Sequence, residues 1–287
     1  MSKKNNNPIL TLRDTPSKLG KYIREYDGHA RAEALGAGDS FYLPGFLDEA
    51  EAPAMLRALL REVDFVQMFN VSARTDLVAP IPRLVSAQAA VSAESAPIYR
   101  MPGCNESNIE TTQWTQTTLE VVSRASAALG VEFNHCVHTL YRDQRDSLGL
   151  HRDKLVDLAD AAPILSVSLG AARPIVFEEV GGRSRHTILL QPGSLLAIGP
   201  RTNLSFVHGI PKLRGPCGPR ISLSIRRSAT FVDQATERVV GKGDAYQTRH
   251  YPFIRSYADH STYSEAARRT IARRTAEARA QLERLRS

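Results

Sequence analysis

An imidazole and a carboxylate stand two residues apart at His151 and Asp153, and a second imidazole follows much later at His208. On an extended chain a spacing of two puts both side chains on one face, so both can reach a single ion. Two histidines and one carboxylate make up the facial triad that leaves coordination positions open on non-haem iron. The His-x-Asp triplet alone is a weak signal, because short triplets recur by chance and either residue can simply be solvated. A competing pair, His135 and His138, is separated by three; on a strand those rings face opposite ways, so they read as structural.

The segment 220–226, Arg-Ile-Ser-Leu-Ser-Ile-Arg, adds a second chemistry. Period two puts Ile221, Leu223 and Ile225 on one face and Arg220, Ser222, Ser224 and Arg226 on the other. Such a strand can be half exposed, with its polar face in water. If both faces are buried, two guanidiniums without partners cost several kcal/mol, and an anion is needed to offset them. Arginine suits a dicarboxylate because its planar fork takes a carboxylate in two parallel charge-assisted bonds. Arg220 follows His208 by one loop, so an adjacent strand could set a metal beside that anion. A ligand held by arginine at one end and chelating the metal with the other is the logic of 2-oxoglutarate binding.

The elements that must position these residues alternate along the chain. Residues 1–38 show little periodicity and are expected to be a poorly ordered extension. Asp48 is an expected N-cap, and Met55, Leu56, Leu59, Leu60 and Val63 predict a helix over about 49–62. Short apolar runs broken by Pro80, Pro82 and Pro97 predict strands and loops over 64–99. A second helix is expected over 111–129, stopped by Gly130. From 131 to 227 short alternating runs predict an all-β unit, with strands clearest over 163–170, 174–177, 186–190, 194–198 and 220–226 and turns at 181–182, 192–193 and 216–219. After Ser228 comes a polar segment, then an Ala/Arg/Glu-rich helix from Ser264, whose interleaved Glu265, Glu277 and Glu283 suggest a solvated amphipathic helix. The fold class is therefore mainly β with flanking helices.

Composition narrows the class of protein. With 42% hydrophobic and 23% charged residues over 287 positions, disorder throughout is excluded and one large domain is accommodated. No run approaches the roughly 18 apolar residues of a membrane span. Three scattered cysteines without a CxxC pair indicate neither a disulfide framework nor a cysteine-type zinc site. A soluble intracellular protein, cytoplasmic or nuclear and without a membrane partner, is expected. The formal charge of +7 suits nucleic acid, although many unrelated proteins share it.

Taken in order, Tyr141-Arg142-Asp143, 146–149 (Asp-Ser-Leu-Gly), His151-Arg152-Asp153, 163–170 (Pro-Ile-Leu-Ser-Val-Ser-Leu-Gly), 208–211 (His-Gly-Ile-Pro) and the Arg220-x5-Arg226 strand resemble the AlkB family of Fe(II)/2-oxoglutarate dioxygenases. The resemblance is strong over 134–227, thinner over 42–99 and absent from the last stretch of the chain. It implies a double-stranded β-helix, or jelly roll, over 131–227 as the catalytic core, helices and a substrate lid over 39–130, and a C-terminal extension over 228–287. It also implies that His151, Asp153 and His208 bind iron, that Arg220 pairs with the distal carboxylate of 2-oxoglutarate, and that Thr139, Tyr141, Ser222, Ser224 and Arg226 line the same pocket. Thr139 and Ser222 replace asparagines common in the family, and both keep a hydrogen-bonding group. The implied reaction consumes dioxygen and 2-oxoglutarate, yields succinate and carbon dioxide, and hydroxylates a C–H bond; an N-methyl group so treated leaves as formaldehyde.

The substrate is less determined. Residues 66–69 resemble the apolar finger of the family's repair enzymes, in which Phe69 would fill a gap in a duplex, although a phenylalanine there also suits the core. Arg83 and Tyr99 are expected to meet substrate, Tyr99 as the stacking ring. Leu155 stands where repair members carry an acid against the base edge, and Asp157 is a possible substitute. Demethylation of DNA or RNA, modification of a protein side chain or metabolite, and a binding module without activity all stay open.

Overall fold

The computed structural model describes residues 33–72, 74–75, 77–100, 110–246 and 263–287. In chain order these form β1 (Glu33–Leu35), β2 (Ser40–Leu43), α1 (Ala52–Glu62), β3 (Val66–Val71), β4 (Val78–Ala89), β5 (Ser95–Pro97), β6 (Thr111–Gln113), α2 (Gln116–Leu129) and β7 (His135–Tyr141). There follow β8 (Leu148–His151), β9 (Ile164–Gly170), β10 (Arg173–Glu179), β11 (Arg185–Leu190), β12 (Leu195–Ile198), α3 (Pro200–Ser205), β13 (Phe206–Ile210), β14 (Arg220–Arg226), β15 (Thr230–Asp233), β16 (Val239–Gly241) and α4 (Glu265–Arg286).

A large sheet runs β1-β2-β12-β9-β14-β7-β4-β3, with β6 added parallel to β4, and a smaller antiparallel sheet runs β11-β10-β13-β8. The two form a jelly roll. Its outer core lies between the large sheet and the helices, where Ile221, Leu223 and Ile225 meet Leu59, Val121 and Ala125. Each such aliphatic side chain contributes about 1.5–3 kcal/mol on burial. The inner core lies between the sheets, with Ile175, Phe177, Leu190, Leu196, Ile198 and Ile210. Both faces of β14 are therefore covered, and its polar face is interior rather than half exposed.

Several boundaries differ from the sequence expectations. β1 pairs with β2, so the loosely ordered extension expected over 1–38 does not reach residue 38; residues 1–32 lie outside the described residues. Helix α1 starts at Ala52 rather than near Glu49, with Glu51 at the N-cap and a proline in its first turn, where a missing N–H costs nothing. Asp48 instead accepts the Ala50 N–H and shapes the preceding turn. Residues 111–113 pair with β4 instead of beginning α2, which ends at Gly130 in the left-handed region as expected. The segment after Ser228 forms β15 and β16, a small sheet with β5.

Helix α4 carries Arg–Glu pairs on its outer face but is not merely solvated. Ile271 packs on Phe69 and Val71 of β3, while Ala278 and Leu282 join the outer core. Arg286 donates to the carbonyls of Leu60 and Val63 at the end of α1. Among the described residues no helix is long and apolar enough to cross a membrane.

Candidate active site

β8 and β13 are neighbours in the small sheet, with His151 directly opposite His208. Gly209 permits this approach, since a Cβ there would stand 2.7 Å from the Leu148 carbonyl oxygen. Asp153 lies just past the end of β8, and the ligand atoms of His151, Asp153 and His208 all fall within 4.8 Å of one another. His151 Nδ1 donates to the Gly149 carbonyl at 3.0 Å, which leaves Nε2 with its lone pair for a metal. Burial, and then the neighbouring His208, lower the His151 pKa and favour the neutral, ligating ring. Phe177, opposite His208 on β10, packs against its ring.

Asp153 is held from three sides. Its Oδ1 accepts from the Tyr99 hydroxyl and from Arg226 Nη2, each at 3.0 Å, and its Oδ2 lies 3.6 Å from His208 Nε2. Burial alone would raise its pKa, but Arg226 and the two imidazoles outweigh that and hold the carboxyl well below the usual range. Asn203, within α3, accepts the Asp153 N–H and donates to its carbonyl, each at 2.9 Å. Asp39 in turn caps α3 by accepting from the Arg201 and Thr202 backbone N–H groups, so the chain before β2 is linked through α3 to Asp153.

The cavity beside the triad, about 300 Å³, lies between the sheets. Period two and the β14–β7 register place Arg220 opposite Tyr141, Ser222 opposite Thr139 and Ser224 opposite Val137, all lining the cavity. Arg220 is 1% exposed; Nη2 donates to Ser168 Oγ at 2.8 Å and Ser222 Oγ at 3.3 Å, while Nε and Nη1 are buried without a partner. Burial lowers its pKa to about 10. Two unpaired donors on an interior guanidinium fit a carboxylate, and the neutral histidine and carboxylate donors fit a ferrous ion.

Other expected residues fall differently. Arg83 lines the cavity and donates to the Ser147 carbonyl. Tyr99 lines it too, but its ring lies under Arg226, 4.1 Å from guanidinium carbon to centroid, so one face is already covered. Phe69 is 1% exposed and packs with Val71 and Ile271, so it is core and not a wedge, because α4 covers β3. Leu155 is half-buried and does not line the cavity; the chain turns away after Lys154, with the Leu155 carbonyl accepting from the Leu158 N–H. Asp157 cannot substitute, since it is buried in an ion pair with Arg100. His135 and His138 do face opposite ways: His138 meets Thr118 of α2, and His135 stands opposite Arg226.

Sequence reasoning missed Asn203 and Arg173. Asn203 sits in a short polar helix with no pattern to mark it. Arg173 could have been found by extending the alternation of Ile175 and Phe177 back by two residues.

Residues 39–226 match the sequence profile of the 2OG-Fe(II) oxygenase superfamily. The chain is 30% identical over 210 residues to DNA oxidative demethylase ALKBH2 of Mus musculus, spanning 69% of this chain and 82% of that one. It is 29% identical over 211 residues to the Bos taurus protein of the same name, spanning 70% and 71%. To the alpha-ketoglutarate-dependent dioxygenase alkB homolog 3 of Mus musculus it is 28% identical over 192 residues, 64% of each chain. With a jelly roll that gathers two histidines, an aspartate and a buried arginine around one cavity, the chain belongs to the 2OG-Fe(II) oxygenase superfamily as an AlkB-like, Fe(II)- and 2-oxoglutarate-dependent dioxygenase.

Proposed function

We propose that this enzyme removes N-alkyl groups from nucleic-acid bases by oxidation. In this reading His151, Asp153 and His208 hold the iron, and Arg220 takes the distal carboxylate of 2-oxoglutarate beside Thr139, Tyr141, Ser222 and Ser224. Residues 131–227 then form the catalytic core and residues 39–130 supply the substrate side. The carrying observation is the outer end of the cavity, where Arg152 and Lys154, both exposed, flank the metal ligands on either side of Asp153. Cations at the rim suit phosphates, which position a strand without reading its sequence. The net charge of +7 and the relatives named as demethylases support the same class.

Iron, when bound, supplies the coupling of 2-oxoglutarate decarboxylation to hydroxylation of a C–H bond, with dioxygen as oxidant. The chain's own contribution is positional. The Gly149 carbonyl fixes the His151 tautomer, Tyr99 and Arg226 keep Asp153 a carboxylate, and Ile175, Leu190 and Ile198 keep the co-substrate end dry. A hydroxylated N-methyl group then separates as formaldehyde, and the proton from its hydroxyl returns to the base nitrogen.

A second reading, oxidation of a protein side chain or small metabolite, is favoured by Leu155 and Asp157, neither of which offers a carboxylate to a base edge. Incubation of N-methylated oligonucleotides with Fe(II), 2-oxoglutarate and enzyme separates the two. Loss of the methyl mass with matching formaldehyde and succinate supports demethylation. Succinate above a His151→Ala control without methyl loss supports the second reading.

A further inference from the structure

Arg173 stands on the inner face of β10 and is 0% exposed, yet among the described residues no carboxylate pairs with it. Its Nη1 donates to the Asp143 carbonyl at 3.1 Å, and Nη2 donates to those of Asp146 at 2.7 Å and Pro211 at 2.8 Å. Two loops, the one before β8 and the one after β13, are thereby tied to one cation. The Tyr141 ring lies beside this guanidinium, 5.4 Å from its carbon, and beside that of Arg220, at 5.2 Å. One arginine comes from each sheet, and Tyr141, which lines the cavity with Arg220, lies beside both; Arg173 itself does not line it.

Burying a guanidinium on carbonyls alone is costly, since they are neutral and leave the charge unbalanced. An apolar side chain in its place would avoid that cost. The arrangement becomes favourable once a dianion sits nearby, because a second cation adds long-range attraction without touching the ligand.

We propose that Arg173 is a positioning residue for the dicarboxylate co-substrate, holding Tyr141 and the two loops in register and supplying a second positive charge behind Arg220. The inference rests on the reading of Arg220 as the diacid's anchor. It distinguishes Arg173, which acts at a distance, from Arg220, which would touch the ligand.

The test is calorimetric titration of 2-oxoglutarate into Mn(II)-loaded protein, which avoids turnover, together with melting curves of the same samples. Arg173→Gln and Arg173→Met remove the charge; Arg173→Lys keeps it. The neutral variants should raise Kd by about tenfold, the size of effect one charge exerts across a partly screened interior. The Lys variant should stay within about threefold of the parent, with Mn(II) affinity unchanged throughout. Neutral variants that bind as tightly as the parent, or a Lys variant weakened as much as they are, would overturn the proposal. So would failure of both neutral variants to fold while the Lys variant folds, since the role would then lie in folding. An Arg220→Met control that leaves Kd unchanged would mean instead that the anchor itself was misassigned.

Discussion

Asp153, the carboxylate proposed to bind the metal, is held in place before any metal arrives. Its carboxylate accepts from one neutral and one charged donor, and its backbone is clasped by Asn203. Each contact removes a freedom that binding would otherwise have to remove. Tyr99 is the informative position, because its hydroxyl holds Asp153 while its ring packs on Arg226. Tyr99→Phe keeps the ring and deletes only the hydroxyl, which donates to Asp153 and accepts the Lys154 N–H. The expected outcome is a weakening of metal affinity by about tenfold, with little change in melting temperature, measured by Co(II) titration. If Tyr99 acted only as a stacking ring for substrate, Phe would serve as well and metal affinity would not move.

At the scale of elements, the ribbon of β3 and β4 gains its place from α4, which covers it on one side. Phe69→Ala should therefore destabilise the fold by about 3–5 kcal/mol, and Ile271→Ala by about 2–5 kcal/mol, read from urea unfolding. Because the two side chains touch, the double variant should cost less than the sum. A wedge residue would behave oppositely, leaving stability unchanged. This contrast also marks what the sequence could convey. Period two reveals β9, β11, β12 and β14 because each strand carries its own pattern, and two faces of β14 could be assigned from 220–226 alone. The roles of Phe69, Leu155 and Asp157 and the packing of α4 were not legible, because they depend on which distant segment lies against them. The inward side of Arg173 was legible from the alternation of β10, but its role was not, because its partners are backbone carbonyls from two loops that no local pattern connects.

Across the whole molecule, the two sheets divide labour: the large sheet offers the arginines and hydroxyls of β14, and the small sheet offers the histidines of β8 and β13. Ionisable groups buried between these layers leave a signature in stability. Burial holds both His135 and His138 at a pKa of about 3, with Arg226 adding to the effect at His135. In the unfolded chain these rings titrate near the ordinary value of about 6.5. Between that value and about 3 the unfolded state binds protons that the folded state refuses, so stability falls as pH falls. Each ring contributes a slope of up to about 1.4 kcal/mol per pH unit. Urea midpoints should drop from about pH 7 to about pH 5, and His138→Gln should flatten the drop; equal slopes in the two proteins would refute the assignment.

The most direct test of the central claim is a crystal structure of the protein with Mn(II) and 2-oxoglutarate. The metal is expected on His151 Nε2, Asp153 and His208, with the far carboxylate of the diacid on the Nε and Nη1 of Arg220 that now lack partners. Density for the ion at any other cluster, or a diacid that leaves Arg220 uncontacted, would contradict it.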